Sequence, residues 1–473
     1  MFSFLIGIAI LVIGYLFYGK LVEKIFVIHK DAETPAIRIN DGVDFVPMDW
    51  KKATLIQFLN IAGTGPVFGA ISGALWGPAA YMWIAFGCVF AGAVHDYFSG
   101  MLSLRNNGSS ISEIVGKYLG KIPLYIMRVF SIILLILVGV VFITSPAQIL
   151  KNMIDPNNQN IYTICLGIII VYYMIATVMP IDKIIGRIYP IFGAALLFMA
   201  IGIIISLFTT GEIFRAPEFK FENLHPAGKA LFPFLFITIA CGAVSGFHAT
   251  QSPIIARCIK SEKEGRKVFY GAMIIEGVVA MIWAAAAMSH FGSQESLNAA
   301  GHPAIIVNKI SNELMGPLGS LLAVLGVVAC PITSGDTAFR SARLTIADSL
   351  KWTQKPIKNR FAIAIPLFAL GISLCFIDFN IIWRYFSWSN QTLATIALWA
   401  ASAYLAKTGK FYWITLIPAT FMTVVVTAYI IVTEEGLRMN FNTGFSIGLS
   451  CAAVLFVLFI KFIAINQKGT LKD

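Results

Sequence analysis

Charged side chains are scarce in this chain: Asp, Glu, Lys and Arg make up 12% of its 473 residues, whereas apolar residues make up 58%. A soluble domain carries about twice that proportion of charge and could not cover so much apolar surface. Because a transmembrane helix takes about 20 apolar residues, the apolar content fills roughly thirteen spans. The sequence therefore excludes soluble enzymes and nucleic-acid-binding proteins and predicts an all-α polytopic membrane protein.

Several chemical signatures are also missing. The seven cysteines contain no CxxC pair and lie mostly in apolar runs, which argues against disulfides and a metal site. The chain has no phosphate-binding loop, no HExxH motif and no nucleophile with a nearby base, so we expect neither an enzyme nor a cofactor. The first apolar run lacks a basic segment before it, which predicts an uncleaved span rather than a signal peptide.

Thirteen apolar runs separated by polar residues, Gly or Pro predict thirteen spans. They lie near residues 2–19, 54–72, 79–104, 123–149, 161–179, 187–208, 230–248, 268–289, 316–335, 361–378, 380–406, 411–432 and 443–465. One set of alternate loops holds 27 Lys and Arg residues and the other set holds six. Since basic loops face the cytoplasm, we predict the N-terminus outside and the C-terminus inside.

Two of these spans are interrupted by small residues. The second reads Asn60-Ile61-Ala62-Gly63-Thr64-Gly65-Pro66, and the seventh is rich in glycine between Ala240 and His248. Proline and glycine favour unwound backbone, which inside a bilayer must face protein or a water-filled cavity. The alternative is that the small residues only permit close helix packing.

Five spans separate the starts of the two interrupted helices, so the second set of five enters the membrane from the other side. Inverted repeats with broken first helices are a transporter architecture in which substrate binds between the breaks. This predicts a first span with its loop (1–53), two inverted five-helix repeats (54–208 and 209–406), and two further spans with a tail (407–473). The predicted substrate-binding residues are Gln57, Asn60, Gly63, Thr64, Gly65, Gly242, Ser245, Gly246 and His248. We expect leucine at Gly65 or Gly242 to block substrate binding without unfolding the protein.

Ionisable residues inside the predicted spans are candidates for coupling transport to an ion, because each costs several kcal/mol unless paired or hydrated. His95 and Asp96 are adjacent, and a histidine beside a carboxylate can take and release a proton. Alternatively, the pair braces the helix end through Arg105. Glu276 lies alone in the eighth span, where it is either protonated or bonded to a neighbour.

Several longer segments resemble the carbon starvation protein A (CstA) family of bacterial transporters. These segments are 41–47, 61–66, 91–96, 240–248, 333–340 and 383–386. The resemblance implies a multi-pass inner-membrane protein of the amino acid/polyamine/organocation superfamily with a LeuT-like 5+5 inverted repeat and extra helices. It also implies peptide uptake under carbon limitation, while close relatives are similar to proton-coupled pyruvate symporters.

A second candidate ion site lies in the ninth span. Thr333, Asp336 and Thr337 share a helical face, and Ser334 lies beside them. In LeuT-type folds this helix meets the first broken helix at a cation site, so hydroxyls here with carbonyls near Ala62 could hold sodium. Asp336 could equally take a proton, and it can pair with Arg340, which lies one turn further along the same face. In the eleventh span, Arg384 could bind an anion, and its expected partner is Asp378.

We therefore expect a secondary active importer of peptides, proton-coupled, in the bacterial plasma membrane, working by alternating access. A pyruvate or small-carboxylate symporter coupled to protons or sodium is the alternative within this class, and a sensor or channel is the alternative outside it. The expected partners are the substrate and the lipid bilayer, with no nucleic acid. Peptide length, stoichiometry and oligomeric state stay open.

Overall fold

The chain forms helices connected by short loops. The computed structural model describes residues 1–465 except 30, 43, 179–181, 221 and 355, and the side chains of 177–190 and 348 are also outside the description. The first half contains α1 (Phe2–Phe26), α2 (Trp50–Ile61), α3 (Gly65–Gly73), α4 (Ala79–Arg105), α5 (Ile111–Leu119), α6 (Lys121–Ile154), α7 (Gln159–Val178) and α8 (Asp182–Thr209).

The second half contains α9 (Phe234–Thr238), α10 (Gly246–Ala256), α11 (Glu262–Phe291), α12 (Gln294–Ala299), α13 (Pro303–Ala323), α14 (Cys330–Ser349), α15 (Ile357–Leu374), α16 (Phe379–Lys407), α17 (Trp413–Val432) and α18 (Phe441–Ile465). The described residues contain no strand, only an isolated bridge between Met48 and Ile259. The predicted all-helical class is thus confirmed.

Ten described helical stretches are long and apolar enough to cross a membrane, and α2 with α3 makes an eleventh if that bent pair is one span. Large apolar side chains such as Phe198 and Val454 remain exposed on these helices, as expected of surfaces that face lipid. The protein is therefore a multi-pass membrane protein. The full count of thirteen spans and the orientation of the termini remain predictions, and the predicted end of the fifth span at residue 179 lies outside the described residues.

Helices α13 and α14 differ from the predicted ninth span of 316–335. They are joined by a π-turn into a stretch of helix that runs from Pro303 to beyond residue 335. Within α13, Gly316 has φ +59° and precedes a proline, which bends the helix where the sequence placed its start. The apolar run therefore marked only the part after the bend.

Both predicted breaks are present, and they touch each other. Helices α2 and α3 meet at an angle of 54° across Ala62–Thr64. Helix α9 ends at Thr238 and α10 starts at Gly246, with Gly242 at φ +74° between them. A Cβ atom on Gly65 would lie 2.5 Å from Cys241 Cβ, so the two unwound segments are in direct contact.

The loops that carry most of the basic residues lie together at one end of the molecule, here called the basic end. The Arg105 guanidinium donates to the Val27 carbonyl, and the backbone N–H of His29 donates to Glu262. Lys410 donates to the carbonyl of Phe26. These contacts join loops that the sequence assigned to a single side.

Candidate functional site

Four ionisable side chains form one buried cluster: His95, Asp96, His248 and Glu276. His95 Nδ1 lies 2.8 Å from Asp96 Oδ1, and His248 Nδ1 lies 2.8 Å from the other oxygen of the same carboxylate. On its opposite edge, His248 Nε2 lies 3.3 Å from Glu276 Oε2. The sequence predicted these residues for two different roles, and the structure places them in one continuous chain.

Helix α4 brings its two cluster residues close to the second break. A π-turn at Cys88–Gly92 lies immediately before them, and such turns often mark functional sites. A Cβ atom on Gly92 would overlap the carbonyl oxygen of Ala243, so glycine at this position permits the close approach. The cluster therefore adjoins the unwound segment rather than an unbroken helix.

The cluster is fully enclosed, since the side chains of all four residues are 0% exposed. His95 Nε2, His248 Nε2 and both carboxylate oxygens of Glu276 have no hydrogen-bond partner among the described residues. Two carboxylates and two imidazoles with free ring nitrogens can hold a variable number of protons. Because an unbalanced charge is costly in this setting, the number of protons held matters to the stability of each conformation.

A thiol lies beside the cluster. The side chains of Cys241, His248 and Glu276 each offer a donor atom, and these atoms lie within 4.8 Å of one another. They are close enough to share a divalent ion, a possibility that the sequence analysis did not predict. Asn390 Nδ2 donates to Cys241 Sγ over 3.4 Å in the structure.

The alternative assignment of His95 and Asp96 to a helix brace through Arg105 is wrong. Arg105 instead lies at the basic end, where its Nε and Nη2 each lie 2.9 Å from a carboxylate oxygen of Glu262. Its Nη1 donates to the Tyr404 hydroxyl over 2.6 Å. His95 and Asp96 therefore interact with each other and, through His248, with the half-helix that follows the second break.

Two adjacent amides in α16 satisfy both ends of the second break. Asn390 Oδ1 accepts from the backbone N–H of Phe247, over 2.7 Å, and from Ser245 Oγ over 3.1 Å. Gln391 Nε2 donates to the carbonyls of Phe236 and Ile239 at the end of the preceding half-helix. Asn390 was not predicted from the sequence, although an Asn-Gln pair within an apolar run is unusual and indicates a polar role.

The predicted substrate residues of the first broken helix are largely buried in protein contacts. Gln57 donates to Ser252 Oγ over 3.3 Å, and Asn60 is half-buried. Thr64 is fully buried, and its hydroxyl has no partner among the described residues. A Cβ atom on Gly63 would collide with the ring of Phe142, so the break packs tightly against α6.

In α14, two of the proposed sodium-site hydroxyls, those of Thr333 and Thr337, donate within their own helix. Thr333 Oγ1 donates to the carbonyl of Cys330 and Thr337 Oγ1 to that of Ser334. The atom facing the carbonyl of Ala62 is Cys330 Sγ, at 3.4 Å. The structure therefore does not bring those hydroxyls onto that carbonyl.

Of two predicted arginine ion pairs, one is present and the other is replaced by a different partner. The predicted local pair of Asp336 and Arg340 is present, with a nitrogen to oxygen distance of 3.4 Å. The expected pairing of Arg384 with Asp378 is wrong, because Arg384 pairs with Glu435, while Asp378 caps α16 by accepting from the N–H of Asn380.

A cavity of about 320 Å³, lined by both polar and apolar side chains, opens at the end opposite the basic end. It reaches Ser72 at the end of α3 and Thr238 at the end of α9. Trp383 lies on the cavity wall, and its ring centroid is 6.0 Å from that of Phe68. We call this cavity the outer vestibule; it approaches the breaks without entering them.

Comparison with known proteins places the chain. The family described as Carbon starvation protein CstA matches residues 1–174, 148–304 and 284–429. The chain belongs to the CstA family. The resemblance in the sequence is thereby confirmed over most of the chain.

Three relatives extend this comparison. An uncharacterized membrane protein of Haemophilus influenzae is 42% identical over 63% of this chain and 93% of its own length. The peptide transporter CstA of Campylobacter jejuni is 28% identical over 89% of this chain and 78% of its own length. The pyruvate/proton symporter BtsT of Escherichia coli is 28% identical over 58% of this chain and 47% of its own length.

Among solved structures, MhsT in complex with L-phenylalanine is similar to 86% of this chain and 97% of that chain, with a TM-score of 0.56 and 11% identity. A manganese transporter of Eremococcus coleocola covers 87% of this chain and 93% of its own, with a TM-score of 0.53 and 11% identity. These likenesses show a LeuT-type fold. Together with the relatives, they identify the chain as a membrane transporter.

Proposed function

We propose that this chain is a secondary active transporter that imports short peptides together with protons across the bacterial plasma membrane by alternating access. The observation that carries the proposal is the enclosed His95, Asp96, His248 and Glu276 cluster at the contact between two broken helices. The LeuT-type fold supports placing the family in the amino acid/polyamine/organocation superfamily. The excess of Lys and Arg in one set of loops supports placing the basic end in the cytoplasm.

Protons are the coupling ion that the cluster suits best. His248 lies between two carboxylates, with one ring nitrogen 2.8 Å from Asp96 and the other 3.3 Å from Glu276. Loss or gain of one proton changes the net charge of a group that has no contact with water, so it changes the free energy of the conformation strongly. Sodium is the second candidate, because the side-chain atom that contacts the Ala62 carbonyl is Cys330 Sγ rather than a Thr333 or Thr337 hydroxyl.

The substrate class rests on the outer vestibule and on the relatives' names. A volume of about 320 Å³ lies within the range of small-molecule sites and exceeds what a three-carbon acid requires. The relative named a peptide transporter matches 89% of this chain, compared with 58% for the pyruvate symporter. Pyruvate is therefore the second candidate, supported by that partial match.

Purified protein in sealed liposomes tests the proposal. Labelled dialanine and labelled pyruvate are offered separately under an inward proton gradient, an inward sodium gradient or no gradient. We expect dialanine to accumulate above its external concentration only with the proton gradient. Accumulation of pyruvate alone would select the second candidate, and equilibration without accumulation of either solute would indicate a channel instead.

A further inference from the structure

The outer vestibule has a lining with charge of one sign. Its charged residues are Lys229, in the loop before α9, and Arg384, in α16, and no Asp or Glu among the described residues contributes to the lining. The vestibule also contains His225, whose pKa is lowered to about 4 by burial and by nearby Lys229, so this imidazole is neutral at pH 7. The electrostatic potential inside the cavity is therefore positive, because it is set by ammonium and guanidinium groups.

The two cations are not equivalent. Arg384 is paired with Glu435, which lies outside the lining and offsets much of its charge. The described structure gives the Lys229 ammonium no carboxylate within salt-bridge distance. Lys229 is thus the cation available to a ligand.

The backbone around Lys229 is fixed by specific contacts. Trp76 Nε1 donates to the carbonyl of Lys229 over 3.0 Å, and Asn223 Nδ2 donates to the same carbonyl over 2.8 Å. The Trp76 ring also packs against the ring of His225 at an inclination of 60°, with 4.3 Å between the centroids. These contacts hold the backbone of Lys229 at the cavity wall, and its exposed side chain extends from that fixed point.

Donors without partners lie on the same wall. Trp383 Nε1 and Arg384 Nε are buried and have no hydrogen-bond partner among the described residues. Leaving a buried donor unsatisfied costs free energy, which an acceptor entering the cavity would recover. A carboxylate supplies two acceptor oxygens and a negative charge, and it matches both features.

We propose that the outer vestibule is a loading site that binds the carboxylate of the transported solute, with Lys229 as the residue that sets affinity. This rests on the proposed function, since it takes the vestibule as the entry route. The ring of Trp383, which packs at 5.8 Å on Phe379 and at 6.0 Å on Phe68, separates the loading site from the first break. The carboxylate is held here before the aromatic side chains move aside.

The test compares two lysines of one connecting segment. Lys229→Gln removes the vestibule ammonium, and Lys220→Gln removes an exposed ammonium that does not line the cavity. Initial uptake rates into liposomes are measured with dialanine, with its C-terminal amide and with pyruvate. We expect Lys229→Gln to raise KM for the carboxylates about tenfold with kcat unchanged, corresponding to about 1.4 kcal/mol, and Lys220→Gln to change neither.

The amide separates recognition of a carboxylate from general damage. The amide should already have the higher KM with the unchanged protein, and Lys229→Gln should not raise it further. An equal rise in KM for amide and carboxylate would overturn the proposal, as would unchanged KM for every solute. If Lys229→Gln raises KM equally for dialanine and pyruvate, the site recognises the carboxylate itself. If KM rises for only one of them, that solute is the ligand of the site. None of these results bears on proton coupling, which is measured by accumulation rather than by KM.

Discussion

Replacing Glu276 with Gln tests the coupling mechanism most directly. The substitution keeps the shape of the side chain and removes the ionisable carboxyl group that lies 3.3 Å from His248. Asp96 then faces the same imidazole without a competing carboxylate, so the cluster no longer exchanges its proton during the cycle. We expect transport to continue without being driven by the proton gradient.

The magnitude follows from the gradient. One proton crossing a difference of one pH unit supplies 1.36 kcal/mol, which supports about tenfold accumulation of a solute carried with it. Under that gradient we expect the unchanged protein to accumulate labelled dialanine about tenfold and Glu276→Gln to reach only the external concentration. Exchange of labelled for unlabelled dialanine, which needs no net proton movement, should stay within about twofold of the unchanged rate.

A matched control is available in α13. Glu313 also faces a histidine, with 3.0 Å between Glu313 Oε2 and His290 Nε2, but its side chain is 50% exposed and lies outside the cluster. Glu313→Gln should retain full accumulation. Driven accumulation by Glu276→Gln at the unchanged level would refute the coupling role of this residue, and loss of both accumulation and exchange would place it in substrate binding or folding instead.

Three further predictions concern stability, each read from the thermal unfolding midpoint in detergent. Glu262→Gln removes the carboxylate that pairs with the Arg105 guanidinium, which is 12% exposed. It should lower the free energy of unfolding by about 3–5 kcal/mol, and adding Arg105→Gln to the same chain should restore part of that loss. Gly242→Ala should lower the free energy of unfolding by roughly 1–3 kcal/mol, because φ at this position is +74° and the new Cβ would lie 2.6 Å from a neighbouring alanine Cβ. Gly167→Ala is the control and should be tolerated, because the new Cβ would have no neighbour within 4 Å. Although partial burial opposes ionisation, hydrogen bonds from the first residues of the chain lower the pKa of Glu218 from 4.5 to about 2. The stabilisation is therefore present above pH 4.5 and disappears as the pH falls towards 2, so Glu218→Gln should lower the midpoint at pH 7 and should not lower it at pH 2.

The packing at the breaks changes one expectation from the sequence. Replacement of Gly65 or Gly242 by leucine was expected to block substrate binding without unfolding the protein. In the structure even a Cβ at either position collides with the opposite unwound segment or with α11. Such substitutions would therefore disturb the fold, which makes them unsuitable as tests of a substrate pocket.

Local sequence was enough to find the breaks and the buried charges. Glycine and proline within apolar runs have a direct backbone meaning, and Asp96 and Glu276 are conspicuous because ionised groups are costly in a bilayer. That His248 connects them depends on how α4, α10 and α11 pack, which no spacing within one helix reveals.

Side-chain partners far apart in sequence were the least predictable feature. Arg384 was expected to pair with Asp378, six residues away, but its partner Glu435 is supplied by the loop after α17. Likewise Arg105 pairs with Glu262, 157 residues along the chain. Both expectations relied on neighbours in sequence, whereas connecting loops at the helix ends bring distant charges together.

The position of His248 suggests how proton binding and helix movement are linked under the proposed function. It lies two residues beyond the start of α10, the half-helix that begins at the second break. Rotation of α10 about the unwound segment would move the imidazole away from Asp96, Glu276 or both, because those carboxylates belong to other helices. Separating a buried ion pair costs about 3–5 kcal/mol, whereas a cluster whose charges are first neutralised by a proton avoids that cost. Proton occupancy would then decide whether α10 can move, and a shift of that size is enough to change the ratio of two conformations by more than a hundredfold.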